Sequence, residues 1–279
     1  METRRAFLGH LGIAAIGLTQ LDRLVPALPG AKLNRIGIQL YTVRRQASAD
    51  LAGTLAQIAK IGYKEVEFAG YYGHAASDVR AMLDRNGLVA PSGHIAYEAI
   101  MNAPDQTFAD AKTVGQEWIT VPSLPRGKHV TVDDWKRVAA QFNDAAKKAH
   151  DAGFRFAFHN HNDIVREQGG VLPIEILMHE TDPALVNYQM DIYWAVSGGS
   201  DPLDLLARYP GRFKMFHVKD GRAPWTDASQ NVVGQGTIDF KPIFAKAKGI
   251  EHYFVESDSA ADPIAFADAS YKYLSNLEY

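Results

Sequence analysis

The sequence predicts an α/β protein folded as a single (β/α)8 barrel, and three observations carry that expectation. Eight short runs rich in β-branched and aromatic residues alternate with segments of helical spacing from Leu33 to the end of the 279-residue chain. No G-x-G-x-x-G follows the first run, where a doubly wound open sheet would usually place its phosphate loop. From the second run onward almost every one has an ionisable residue at its end or one residue before it, and barrel enzymes draw their reacting groups from those C-terminal strand ends.

The elements follow in order. The first run, Ile36–Thr42, leads to Leu51, Leu55, Ile58 and Ala59, whose spacing marks one helical face. Gly62 comes after it, where a helix C-terminus favours a residue with positive φ. Glu65–Phe68 is the second run, and Gly87 closes the next helical segment before the third, Val89–Ile95. Trp118–Val121 is the fourth. Val138, Phe142, Ala145, Ala146 and Ala149 form another helical stripe, ended by Gly153 before the fifth run, Phe154–His159. Val186–Asp191 and Phe213–Val218 are the sixth and seventh; Gly249 precedes the eighth, Tyr253–Ser257. No internal repeat, low-complexity tract or linker interrupts the alternation, so residues 33–279 are expected to form one domain, close to the ~250 residues such a barrel uses.

Composition narrows the function. The chain is 47% hydrophobic and 22% charged, the balance of a soluble globular protein. Its net charge of −3 and the lack of any Lys/Arg run argue against a nucleic-acid partner. With no cysteine, disulfides, zinc–thiolate sites and a cysteine nucleophile are excluded. The first residues, METRRAFLGHLGIAAIGLTQL, combine Arg4-Arg5 with a weakly apolar run, the order of a twin-arginine export signal. Residues 1–32 are accordingly expected to act as a signal peptide and the protein to be periplasmic; the alternative is an amphipathic helix of the mature domain. The apolar run is short and Gly-rich against the roughly 20 apolar residues a spanning helix needs, so no membrane association is expected after signal removal. Self-association into a homo-oligomer stays open.

Reading each run to its end collects Glu67, His94, His159 with His161, Asp191, His217 with Lys219, and Glu256; only the fourth, ending Val121-Pro122-Ser123, departs. Each of these has a bland alternative on its own: a solvated exit residue, a helix cap, a core imidazole. Together, His159, Asp191, His217 and Glu256 on runs five to eight offer four ligands converging on one point. Mixed imidazole and carboxylate donors suit a divalent cation, Mn²⁺ first with Zn²⁺, Fe²⁺ or Co²⁺ as alternatives, rather than Mg²⁺ or Ca²⁺. His159 and His161 face the same way if the strand stays extended, so one can take the metal and the other the substrate.

At these residues the chain resembles the xylose-isomerase-like barrel superfamily of sugar isomerases and epimerases, which also contains endonuclease IV. The resemblance is carried by Gly62-Tyr63-Lys64-Glu65-Val66-Glu67, His159-Asn160-His161, Met190-Asp191, Phe216-His217-Val218-Lys219-Asp220, Gly234-Gln235-Gly236-Thr237-Ile238-Asp239-Phe240 and Val255-Glu256. It implies a divalent metal at the ends of strands five to eight, with Asp191, His217 and Glu256 matching three ligand positions. Strand five is a departure, because the usual glutamate is replaced by His159. His161 resembles the His of an E-x-H arrangement in dehydratase relatives, where it works as a base. The expected roles are therefore His159 to the metal and His161 to proton transfer, and the two could be exchanged.

The expected activity is a metal-dependent sugar isomerase or epimerase that abstracts a proton next to a carbonyl through an enediolate, acting on a non-phosphorylated sugar or keto-sugar, with Glu256 and His161 as catalytic groups. A lyase or dehydratase acting on a keto-glycoside at the same site is the close alternative, since an imidazole can protonate a leaving oxygen and only one of the family's two glutamates remains. A non-catalytic periplasmic sugar-binding barrel is a third reading; an abasic-site nuclease fits poorly with the missing ligand and the acidic balance. Glu67, His94, Lys219 and Arg222 are expected to contact substrate, Tyr193 and Trp194 to offer it a platform, and Gly234-Gln235-Gly236 to be a weak phosphate motif.

Overall fold

The computed structural model describes residues 30–127 and 129–279; the expected signal segment lies almost wholly outside them. Eight parallel strands close into a barrel: β1 Gly37–Gln39, β2 Glu65–Phe68, β3 Val89–His94, β4 Trp118–Val121, β5 Arg155–His159, β6 Val186–Asp191, β7 Phe213–Val218 and β8 His252–Val255. Each strand pairs with its neighbours in sequence, and β8 returns to β1. Helices connect them on the outside, the longest being Val132–Asp151, which starts in a reciprocal cap between Thr131 and Asp134. None of the described helices is long and apolar enough to cross a membrane.

A period of two sorts the strand residues. On β5, Phe156 and Phe158 join the apolar layer under the helices, while Ala157 packs with Trp118, Met215 and Phe254 in a separate cluster. His159 is next on that second face. The same alternation on β6 sends Tyr188 and Met190 to the outer layer and leaves Gln189 and Asp191 on the other face; on β7 it pairs Met215 with His217. Polar side chains at the upper ends of these strands thus stand above a plug of apolar ones. Gly37 leaves room for that plug, because a Cβ there would lie 2.5 Å from the Phe254 ring.

Three strand ends differ from the expectation, β3 by a single residue, at His94 instead of Ile95. β1 stops at Gln39, since the Gln39 side chain accepts the Tyr41 N–H and turns Leu40–Val43 into a 3-10 segment. β8 stops at Val255; Ser257 N–H then donates to Thr42 Oγ1 at 3.1 Å rather than continuing the ladder. Glu256 therefore sits one residue beyond its strand.

Candidate functional site

His159, Asp191, His217 and Glu256 come together. One ligand atom from each lies within 4.8 Å of the others, and all four residues are buried. They stand above the Met215–Phe254 plug, and two of them, His159 and Glu256, line a cavity of about 500 Å³ at the barrel mouth together with His161, His94 and Asp258. Asp191 Oδ2 is buried without a hydrogen-bond partner: Lys219 Nζ is 3.0 Å away as an ion pair, but its hydrogen bond goes to Asp258. Burial pushes the Asp191 carboxyl up, outweighing the opposite pull of the Lys219 ammonium. An orphaned carboxylate oxygen facing two imidazoles and a second carboxylate is a donor set that fits a divalent cation.

The three residues His159-Asn160-His161 have three jobs. The His159 ring is buried, and burial together with the neighbouring His217, His161 and His94 rings holds its pKa well below the ordinary value, so it is a neutral imidazole with a lone pair to give. Asn160 bridges strand ends, accepting the Asp191 N–H at 3.0 Å and donating to the Asp191 carbonyl at 3.3 Å. His161 is half-buried at the cavity, 4.9 Å from the His159 ring and 6.0 Å from that of Trp194 (centroid to centroid), with no hydrogen-bond partner among the described residues.

The remaining candidates, His94 apart, are placed otherwise than expected. Glu67 is fully buried on β2, accepting from Gln39 at 2.8 Å, Gln189 at 2.9 Å and His217 Nε2 at 2.6 Å, and from Ser92. No oxygen is left over for a substrate, so Glu67 positions the site from beneath. Lys219 is buried too, its ammonium 2.7 Å from Glu256, 3.0 Å from Asp191 and 2.7 Å from Asp258. It is an internal counter-charge, not a sugar contact. Arg222 is exposed and turned away, bonded to Asn231 and to the Gln235 carbonyl. Tyr193 is buried with its hydroxyl on the Thr226 carbonyl, so of the expected platform only Trp194 stands near the mouth. His94 alone of this group lines the cavity, with Nε2 on Gln189 at 3.0 Å.

The glycine motif is not a phosphate site. Asp220 accepts the backbone N–H groups of Gly221, Gly234, Gly236 and Ile238, so its own carboxylate fills the nest. A Cβ on Gly236 would lie 2.0 Å from that carboxylate.

Gln39, Ser92, Gln189 and Asp258 are functional neighbours that sequence reasoning missed. Gln189 had a signal: it precedes Asp191 by two, hence shares its face of β6.

Charge in this network ties stability to pH. Burial alone would raise Glu67, yet the His94 and His217 rings overrule it and bring it from 4.5 to about 2. Burial opposes a charged His217, but Glu256 and Glu67 lift it from 6.5 to about 10. In EDTA-treated protein, Glu67 therefore contributes stability that is complete above pH 4.5 and lost as pH falls toward 2. His217 contributes stability complete below pH 6.5 and lost as pH rises toward 10. Urea unfolding across pH should show both declines, each of about 2–4 kcal/mol and overlapping because the two groups are partners; a flat profile above pH 6.5 would contradict the His217–carboxylate assignment.

Fold and site define a class: a (β/α)8 barrel with a buried His/Asp/Glu group that could hold a cation at its C-terminal mouth. The chain belongs to the xylose isomerase-like TIM barrel family, which it matches over residues 55–259. It is 25% identical over 268 residues to an inosose dehydratase of Geobacillus kaustophilus, an alignment covering 80% of this chain and 86% of that one. An inosose dehydratase of Lacticaseibacillus casei is 30% identical over 167 residues, which span 52% of this chain and about half (55%) of that relative. Among solved structures, a sugar phosphate isomerase/epimerase from Parabacteroides distasonis has a TM-score of 0.74 at 28% identity, covering 90% of this chain and 97% of that one.

Proposed function

We propose that the protein is a metal-dependent lyase that dehydrates an unphosphorylated keto-sugar or cyclic keto-polyol, with His161 as its proton-transfer group. The observation that carries this reading is a half-buried imidazole without a hydrogen-bond partner among the described residues, at the cavity beside four buried candidate ligands of which only two are carboxylates. The inosose dehydratase relatives support elimination over isomerisation.

A divalent cation held by His159, Asp191, His217 and Glu256 (Mn²⁺, Zn²⁺, Fe²⁺ or Co²⁺) supplies Lewis acidity at a substrate carbonyl. Lys219 and His217 hold Glu256 well below the usual carboxylate range against the effect of burial, so it stays ionised and is a weak base. His161 takes the proton from the carbon next to the carbonyl. When the β C–O bond breaks, His161 returns that proton to the departing hydroxyl; water leaves and the ring keeps a C=C bond conjugated to the carbonyl. The enzyme ends in the protonation state in which it began.

The residues lining the mouth cavity include Glu256 and Asp258 but neither lysine nor arginine among those described, which favours a neutral polyhydroxylated substrate over a phosphorylated one. Export through the twin-arginine route to the periplasm is part of the proposal and rests on Arg4-Arg5 and the run that follows.

Isomerisation or epimerisation is the second reading, favoured by the Parabacteroides distasonis structure; it differs only in where His161 returns the proton. Incubation of metal-replete protein with a panel of keto-sugars and inososes in D₂O separates the two. Growth of an enone absorbance with loss of the α-proton is expected; deuterium incorporation into an isomer without enone would favour the second reading, and no exchange at all would reject both.

A further inference from the structure

The two imidazoles of the ligand group face different partners, and one pair of residues decides which nitrogen of each is free. Gln189 is fully buried. Its amide nitrogen donates to Glu67 Oε1 at 2.9 Å. An ionised carboxylate only accepts, so the amide cannot be turned over without setting oxygen against oxygen. Gln189 Oε1 must then face the rings, 3.0 Å from His159 Nδ1 and 3.0 Å from His94 Nε2. An amide oxygen accepts, so each of those nitrogens carries hydrogen. His159 is left with a bare Nε2, on the side of Asp191 Oδ2 at 4.0 Å.

On His217 the order is reversed. In the metal-free protein both of its nitrogens carry hydrogen toward carboxylates, Nε2 at 2.6 Å from Glu67 Oε2 and Nδ1 at 2.9 Å from Glu256 Oε2; Glu67 keeps the hydrogen on Nε2, so Nδ1, on the side of the ligand group, is the nitrogen whose proton a cation would displace. His94 has spent its Nε2 on Gln189 and Glu67, the latter at 3.3 Å. Of the two groupings dense enough to hold an ion among the described residues, the three-imidazole set His94, His159 and His217 is thereby disfavoured against the set containing Asp191 and Glu256.

We infer that Glu67 and Gln189 form one orienting unit which makes a cation bind His159 through Nε2 and His217 through Nδ1, with Gln189 the positioning residue that lets a histidine stand where the family's pattern has glutamate. The inference rests on the reading that these four side chains take a cation, and goes beyond it. A carboxylate at position 159 would meet the Gln189 oxygen, acceptor to acceptor; an imidazole at 159 needs that oxygen. Positions 159 and 189 are thus a matched pair across neighbouring strands β5 and β6, and the pairing does not depend on the reaction that follows. Outer partners of this kind hold ligand rings in a fixed tautomer and typically alter metal affinity by about 10–100-fold.

Long-range ¹H–¹⁵N correlation on full-length, ¹⁵N-histidine-labelled protein tests it, with diamagnetic Zn²⁺ as the probe. Zn²⁺ uptake is measured first by equilibrium dialysis; failure to bind one equivalent would overturn the cation reading itself, and this inference with it. With zinc bound, His159 is expected to keep hydrogen on Nδ1 and show the ligand shift on Nε2, His217 the converse, and His94 no ligand shift. The same nitrogen ligating in both rings, or a ligand shift on His94, would overturn the inference while leaving the cation reading standing. Gln189→Leu is expected to weaken Zn²⁺ by about 10–100-fold; wild-type affinity in a folded Gln189→Leu would also overturn it. The spectrum of the unmodified protein decides the matter even if that variant does not fold.

Discussion

His161→Ala is expected to lower turnover by about 10²–10⁴-fold, the usual worth of a positioned acid–base group, and to leave metal content unchanged. His159→Ala is expected to lose both. The contrast follows from burial and partnership. His159 lies inside the four-residue ligand group, with Nδ1 bonded to Gln189. His161 lies two residues on, at the cavity, with no hydrogen-bond partner among the described residues. Removing a half-buried side chain that makes ring contacts but no hydrogen bond among the described residues costs little fold, so Tm of His161→Ala should stay within a few degrees of wild type. The measurements are metal content by elemental analysis and deuterium exchange at the substrate carbon. Loss of metal from His161→Ala, or wild-type exchange without it, would return the two rings to the exchanged roles that the sequence alone left open. Elimination and isomerisation share the exchange step, so the result bears on His161 whichever product forms.

The part of this site legible in the sequence was the part governed by strand periodicity. An apolar run of four to six residues has a defined end, and in a barrel that end points to the mouth; His159 and Asp191 close β5 and β6, and His217 is the last residue but one of β7. What lay deeper was not legible. Glu67 was seen, but nothing in EVEF says that its carboxylate would be ringed by donors from β1, β3, β6 and β7. That depends on which residues of other strands share its level in the closed barrel. Lys219 misled for a similar reason: a lysine two past a strand histidine reads as a substrate contact, whereas three carboxylates around it make its burial tolerable. Asp220 shows the opposite effect. The GQG turn has the local form of an anion nest, and the anion that fills it comes from the chain itself, fourteen to sixteen residues away.

Replacing Lys219 with methionine, which keeps the apolar stem and removes the charge, is expected to destabilise the metal-free protein by about 3–5 kcal/mol, the cost of breaking a buried ion pair from one side. In a chain of this size that lowers Tm by roughly 10 °C. Burial opposes the charged ammonium, but Asp191, Glu256 and Asp258 outweigh it and hold Lys219 well above its ordinary pKa, so the charge is present throughout the neutral range. Without it, Asp191 and Glu256 face each other across the ligand group with His217 as their remaining shared cation. A divalent ion supplies the missing charge at those same two carboxylates. Because a ligand that binds only the folded state stabilises by RT ln(1 + [L]/Kd), and the variant no longer sets an ammonium beside the incoming ion, the gain in Tm on adding Zn²⁺ should be larger for Lys219→Met than for wild type. Thermal unfolding with and without Zn²⁺ reads both terms. Equal metal-induced shifts in the two proteins would mean that Lys219 balances Asp258 alone and has no part in the ligand group.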